Sequence, residues 1–529
     1  MPEAPPPRRI GGALAVASGI FLSRIAGLVR ERAISHYLGL TPAAGALRAA
    51  LRIPNLLQNL LGEGVLSASF IPVYSRLRAE GKDAEASVVA RAIGTLLALL
   101  ATVAALVGVL AAPVLVDVLA PGYEGETRVL TIRIVQILFP GVALLVMSAW
   151  CLGVLNSHRK FFLSYVAPVL WSAAMIATAV IAGRRLAGHD GDIAIWLAWG
   201  AVIGSAAQFL VQLPTVIALL RGLRPSLAVR DPGVRATLRA FVPVLIGRGS
   251  VQISAYIDQV LASFLGAGVV AAMFNAQVLY LLPVSLFGMA VSAAELPEMA
   301  SATGGEEARI AHLQQRLGPA LRRVVFLVVP SAVAFIAIGG PIIALLFQTG
   351  RFTANDTRVV WIILAGSALG LSAGTQGRLL GSAFYAIDQQ RPPLYAALVR
   401  VAITAVFGYA FALPIRQAAG YGPEWGAFGL TASAGFAAWV EFLLLERWLS
   451  KRIGKVPIPT KLGLGALACA AIAGAAAYGA AHLAVELGAR GWQSALVAVP
   501  VFGAIYLGGM SIAKVPEASA FTRRILRRR

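Results

Sequence analysis

Long apolar runs, broken by Gly, Pro and clustered charge, recur along nearly the whole chain. They lie near residues 10–38, 46–75, 92–120, 127–157, 161–183, 193–220, 236–265, 268–300, 322–347, 357–386, 393–414, 426–445, 462–487 and 495–512. A hydrocarbon core about 30 Å thick takes about 17–25 helical residues to cross, and each run reaches that range. A segment in lipid must satisfy its own backbone, so the runs predict α-helices. The expectation is an all-α integral membrane protein with about fourteen transmembrane helices. No sizeable soluble domain fits between the runs.

The polar breaks test that count. With the N-terminus cytoplasmic, the inside loops collect Arg76, Arg78 and Lys82; His158, Arg159 and Lys160; Arg221, Arg224, Arg230 and Arg235; and Arg447, Lys451, Arg452 and Lys455. The tail adds Arg523, Arg524, Arg527, Arg528 and Arg529. Among the outside connections, the turn from Gly39 to Gly45 has no Lys or Arg, and Pro121 to Glu126 is acidic. Arg184 and Arg185 fall on the wrong side of this scheme and weaken that one loop. Lys and Arg concentrate in cytoplasmic loops, so an even number of crossings is expected, with both termini cytoplasmic and a multi-pass location in the bacterial inner (plasma) membrane. Arg24, Arg30 and Glu31 interrupt the first apolar run, unlike the short core of a cleavable signal, so the first helix is expected to remain.

Composition agrees. Of 529 residues 58% are hydrophobic and 13% charged, and mean hydropathy is +0.78, against about 45–50% apolar and 25% charged in soluble domains. The formal net charge of +21 sits in the loop clusters, so it reads as topology and implies no nucleic acid partner. Cys151 and Cys469 both lie inside apolar runs and imply small packing residues. There is no G-x-x-x-x-G-K-[ST] loop for a nucleotide, and the five His are scattered without zinc-ligand spacing. No metal, cofactor or catalytic residue is expected, which points to a transporter and away from an enzyme.

A short internal repeat suggests duplication. Leu38-Gly39 is followed by Ser67-Ala-Ser-Phe-Ile-Pro72, and Leu265-Gly266 by Ser292-Ala-Ala-Glu-Leu-Pro297. Many secondary transporters are built from two related halves with the substrate site between them near mid-membrane. The expected division is an N-terminal lobe over residues 1–225, a second six-helix lobe over 226–450 related by a pseudo-two-fold repeat, and two further helices with a basic tail over 451–529.

Charges inside apolar helices are the candidate chemistry, because an ionised group at mid-membrane costs several kcal/mol unless it meets a partner or a wet cavity. In the first helix these are Arg24, Arg30 and Glu31. At 100° per residue Arg24 and Glu31 fall within about 20° of one another, with Arg30 about 120° away. The second helix carries Arg48 and Arg52 one turn apart, then Glu63, which shares a face with Arg52 if the helix continues through Pro54. Arg24, Arg30 and Arg52 suggest a pocket for an anion such as a pyrophosphate, matched by the planar donor fork of Arg, with Glu63 orienting them. The alternative is structural pairing with Glu31 and Glu63, and Arg32 and Arg48 are expected to snorkel to an interface. Glu31, Asp258, Arg378 and Asp388 are further candidates for an ion or gating role, Asp258 the deepest and Asp388 at a helix end.

The motifs Ser23-Arg-Ile-Ala-Gly-Leu-Val-Arg-Glu31, Arg52-Ile-Pro-Asn-Leu-Leu57, Gly62-Glu-Gly64 and Ser67-Ala-Ser-Phe-Ile-Pro72 lie in order along the chain. Leu346-Phe-Gln-Thr-Gly-Arg-Phe352 and Phe384-Tyr-Ala-Ile-Asp388 follow. Together they resemble the MurJ (MviN) family of lipid II flippases, in the superfamily that also holds MATE drug exporters and polysaccharide flippases. The resemblance implies transfer of an undecaprenyl-pyrophosphate-linked disaccharide-pentapeptide, lipid II, from the inner to the outer leaflet for peptidoglycan synthesis. It further implies two lobes around a cationic central cavity, a groove for the lipid tail on two extra helices, membrane lipids and cell-wall synthesis proteins as partners, and key residues at Arg24, Arg30 and Glu63. The chain departs from the family pattern at Gly45, Gln58, Gln277 and Val278, where charged residues are usual. Two other readings stay open: a divergent member that moves another polyprenyl-linked glycan or serves as a non-transporting scaffold, and an embedded enzyme acting on such lipids.

Overall fold

The computed structural model describes residues 10–222, 224–301, 305–387 and 389–519. Within its helices the side chains of 10–18, 20, 56, 63, 246–255, 293, 297 and 300 lie outside that description. Packing divides the chain into two compact units, Met1–Ser263 and Phe264–Arg529.

The first unit runs α1 (Ile10–Leu38), α2 (Pro42–Leu61), α3 (Glu63–Ala79), α4 (Asp83–Leu110), α5 (Ala112–Leu119), α6 (Gly125–Ser157), α7 (Phe161–Arg185), α8 (Asp190–Leu219) and α9 (Pro232–Ser263). The turn between α1 and α2 places Gly39 at φ 56°, and Thr41 then caps α2 by accepting a hydrogen bond from the Ala44 N–H. Helices α2 and α3 together make one apolar span, Pro42–Ala79, interrupted at Gly62. A Cβ there would stand 2.2 Å from the Gln58 carbonyl oxygen, so only glycine fits the break. At the heart of the unit Phe70 and Tyr74 from α3 and Trp150 from α6 are buried together, and the Trp150 indole donates to the Ala90 carbonyl. The helix expected to open the second lobe, α9, packs against α2, α3, α4 and α5 and belongs to this unit.

Helix α4 displays the membrane pattern residue by residue. Leu99, Val103, Leu106 and Leu110 are exposed at spacings of four and three, whereas Ala86, Val89, Ala90, Ile93, Gly94, Leu97 and Ala101 face the bundle. A stripe of large exposed aliphatics opposite a stripe of small buried residues is stable only where lipid covers the outside.

The second unit runs α10 (Ala267–Pro283), a π-helical turn Val284–Met289, α11 (Ala290–Ala300), α12 (Glu306–Phe347), α13 (Ala354–Ala368), α14 (Leu371–Ala386), α15 (Arg391–Ala410), a second π-helical turn Phe411–Ile415, α16 (Arg416–Ala418), α17 (Pro423–Ile453), α18 (Thr460–Glu486) and α19 (Gly491–Ile512). Helices α13 and α14 meet at a bend of 43°. The bend sits at Gly370, where a Cβ would stand 2.3 Å from the Gly435 Cα of α17. Helices α18 and α19 pack on each other and on α12. The buried seam of α18 is almost all alanine and glycine, Ala466, Ala470, Ala473, Gly474, Ala477 and Ala481, which lets backbones approach where no hydrophobic force separates lipid from protein.

Among the described residues, eleven helices are long and apolar enough to span a membrane, twelve with the bent pair counted as one. The expected runs 10–38 and 236–265 fall on α1 and α9, which are not among these spans and both run through side chains outside the description. The protein is an all-α, multi-pass membrane protein.

Candidate functional site

The densest buried charge lies where α1 and α2 run antiparallel. Glu31 and Arg48 stand eight and nine residues on either side of Gly39, so the hairpin brings them level. Glu31 is 2% exposed and Arg48 3%, and the Arg48 Nη1 lies 2.5 Å from Glu31 Oε2. From the neighbouring position Arg30 donates to Glu31 Oε1 through Nε at 2.9 Å and Nη2 at 2.6 Å. Its Nη1 donates to Ser172 Oγ of α7 at 3.2 Å, and its guanidinium lies 4.5 Å from the centroid of the Trp171 ring, a cation–π contact. Two guanidinium groups share one carboxylate, an arrangement that is costly to desolvate and favourable to an incoming anion.

Arg48 corrects the expectation that it snorkels. An arginine snorkels when its helix ends at an interface, but here the register of the hairpin aims it at Glu31. Arg24, expected beside Glu31, is exposed on α1. The two share a helix side, yet Arg24 lies seven residues, about 10 Å, further from the hairpin turn.

Arg52 sits one turn beyond Arg48 and reaches α9. Its Nη1 donates to Gln259 Oε1 at 3.2 Å, the Tyr256 hydroxyl donates to its carbonyl at 3.2 Å, and the negative charge of Asp258 acts on it. Asp258 thus joins the arginine group in the first unit. The Glu63 side chain, the expected partner of Arg52, and the whole of Asp388 lie outside the described residues. Arg378 is exposed on α14.

Next to the cluster is a cavity of about 590 Å³, lined by Gln58 and Asn59 of α2, Ser67 of α3, Ser148 of α6, Trp171 of α7 and Gln208 of α8. Ser148 Oγ accepts from Gln208 Nε2 at 3.0 Å and from Gln212 Nε2 at 2.6 Å. The Trp171 Nε1 and the Gln212 Oε1 are buried with no hydrogen-bond partner among the described residues.

A sequence model of the family described as lipid II flippase MurJ matches residues 34–496. The lipid II flippase MurJ of Burkholderia cenocepacia is 33% identical over 447 residues, 83% of each sequence. The chain belongs to the MurJ lipid II flippase family. A probable lipid II flippase MurJ of Rhizobium tropici is also 33% identical, over 72% of each sequence. In fold, the chain is similar to a solved lipid II flippase MurJ in an inward closed conformation, with a TM-score of 0.76 at 22% identity over 97% of this chain and 100% of that one. It is also similar to an inward-facing multidrug resistance MATE family transporter of the MOP superfamily, with a TM-score of 0.65 at 19% identity over 83% of this chain and 98% of that one.

A MurJ-family reading of the motifs draws attention to the first two helices and passes over their partners. Trp171, Ser172 and Gln259 carry no sequence signal, because each acts across more than 120 residues of chain. The ion pair between Arg400 of α15 and Glu441 of α17, 3.0 Å apart, was also missed. Each is a lone charge in an apolar run, and that was the available signal.

Proposed function

We propose that this chain is a lipid II flippase, moving the undecaprenyl-pyrophosphate-linked peptidoglycan precursor from the inner to the outer leaflet by alternating access. The observation that carries the reading is the pairing of two guanidinium groups, Arg30 and Arg48, with the one buried Glu31 carboxylate, within a chain of this family. A diphosphate is the headgroup element that a desolvated Arg fork recognises best. Arg24, Arg30 and Arg52 are the proposed contacts. Arg24 is exposed and has no ion-pair partner among the described residues, so it is available to a ligand at once. Arg30 exchanges its bond to Ser172 for a phosphoryl oxygen. Glu63 is proposed to orient Arg52, and Asp258 to modulate it.

Growth under depletion of the native flippase tests this. Arg24→Ala and Arg30→Ala, each at normal membrane abundance, are expected to fail to complement. Arg24→Lys is expected to be impaired too, because a point charge does not reproduce the fork. Full complementation by both alanine variants would overturn the cationic site. The same purified protein is expected to leave lipid II uncleaved and unpolymerised. Cell-wall synthesis proteins on the outer face are its proposed functional partners. Cytoplasmic termini complete the proposal. Reporter fusions at Ser157 and Arg529 are expected to read cytoplasmic and one at Gly122 periplasmic.

A further inference from the structure

The cavity beside the arginine cluster differs from it in kind. None of its described lining residues is charged, and the polar ones are two primary amides on α2, a third on α8, two serines and an indole. An anion would call for Arg or Lys at the wall, and a lipid tail for an unbroken apolar lining. Amides and hydroxyls each donate and accept within one side chain, the pattern needed for a neutral ligand with alternating hydroxyl and amide groups. Leu145, Leu152 and Pro168 supply apolar wall between them, against which a sugar ring can lay its C–H face. The volume of about 590 Å³ falls in the range of about 300–1,000 Å³ typical of small-molecule sites.

Position supplies the second argument. Trp171 lines the cavity and carries the Arg30 guanidinium on its ring at 4.5 Å, so one side chain separates the neutral pocket from the cationic cluster. In a polyprenyl-diphosphate-linked glycan the first sugar is bonded directly to the diphosphate. A ligand with its diphosphate at Arg30 therefore has its first sugar within reach of Gln58, Asn59 and Gln208. Buried polar atoms in a folded protein are nearly always paired, yet Trp171 Nε1 at this wall has no partner among the described residues, nor has the Oε1 of Gln212, which donates to Ser148 behind it.

We propose that this first-unit cavity is a subsite for the N-acetylated sugar attached to the diphosphate, reading its hydroxyl and acetamido groups through Gln58, Asn59, Ser148 and Gln208. The inference rests on the flippase reading and deepens it by locating the glycan.

The test uses full-length protein in lipid nanodiscs and two probes, undecaprenyl diphosphate without sugar and lipid II, compared by competition binding. Wild type is expected to prefer the sugar-bearing lipid by about ten-fold, the worth of one or two well-made hydrogen bonds. Gln208→Leu should bring that ratio to within about two-fold, whereas Arg30→Ala should weaken both ligands together. Asn59→Leu, on the cavity wall and outside the Ser148 hydrogen-bond group, repeats the test if Gln208→Leu lowers thermal stability. A wild-type ratio near one, or a ratio unchanged in both leucine variants, would overturn the subsite and leave a water-filled cavity. Failure of wild type to bind either probe would instead overturn the flippase reading, and the subsite with it.

Discussion

In the first unit Glu31 and Arg48 meet with almost no exposure, and Arg30 closes the group against α7. In the second unit the pair Arg400–Glu441 keeps 38% and 15% of its side-chain surface exposed. The pair Arg322–Glu517, which ties the segment after α19 to α12, keeps 40% and 15%. The first arrangement shields charge from water and sets one acid between two bases. The second balances one acid with one base and leaves the base half in contact with its surroundings. Coulomb attraction is large in the first setting, but so is the cost of desolvation. In the second both are small. The Glu31 cluster is therefore difficult to explain by stability alone, whereas the two pairs of the second unit serve as attachment.

The sharpest way to break the comparison is Glu31→Ala. It takes the shared carboxylate from Arg30 and Arg48, so a loss of about 3–5 kcal/mol is expected, read as a lower melting temperature in detergent and reduced abundance on a membrane blot. A wild-type melting curve would show that Arg48 is not desolvated. The double replacement Glu31→Met, Arg48→Met should recover most of that stability, since an apolar pair of similar volume is often neutral, while growth under flippase depletion stays lost. Arg48→Lys comes next, with an expected cost of about 1–2 kcal/mol because the ammonium cannot span the same gap to Glu31 Oε2. Equal melting of Arg48→Lys and wild type would return that residue to the interface. A double-mutant cycle on Arg400 and Glu441 should give a coupling of about 1 kcal/mol or less, and a value above that of the Glu31–Arg48 cycle would reverse the contrast.

The smallest effect is expected at Arg322. There Arg322→Ala should cost under about 1 kcal/mol while increasing proteolysis of the chain beyond α19. Burial pushes the Glu517 carboxyl up, but hydrogen bonds from Arg322 and its own backbone, with the charges of Arg322 and Arg323, hold it below its ordinary value on balance. A lowered carboxyl adds stability that is present above the ordinary carboxylate value of about 4.3 and fades as pH falls below it. Proteolysis of the wild-type tail segment should therefore rise only in that acid range, and Arg322→Ala should flatten the dependence.

Much of the architecture was legible because lipid imposes it: apolar length marks each helix and loop charge marks its ends. What α9 packs against was not legible, because its apolar face suits either unit, and only contact with α3 and α4 decides. Within the site, Arg30 and Glu31 stood out as charges in an apolar run. Arg48 did too, but its role turned on hairpin register: one residue of slip at the turn rotates it by about 100°. The pairing of Arg52 with Gln259 was hidden because Gln carries no charge to flag it.

Gly62 has a bearing on how the cavity works. Gln58 and Asn59 lie before it, and Gly64 and Ser67 after it, yet all four line the same wall. The break between α2 and α3 is thus set into that wall, where a side chain of any size would jam against the Gln58 carbonyl. Filling it would push apart the two halves of the wall, so the shape of the chamber depends on a residue that contributes no side chain to it.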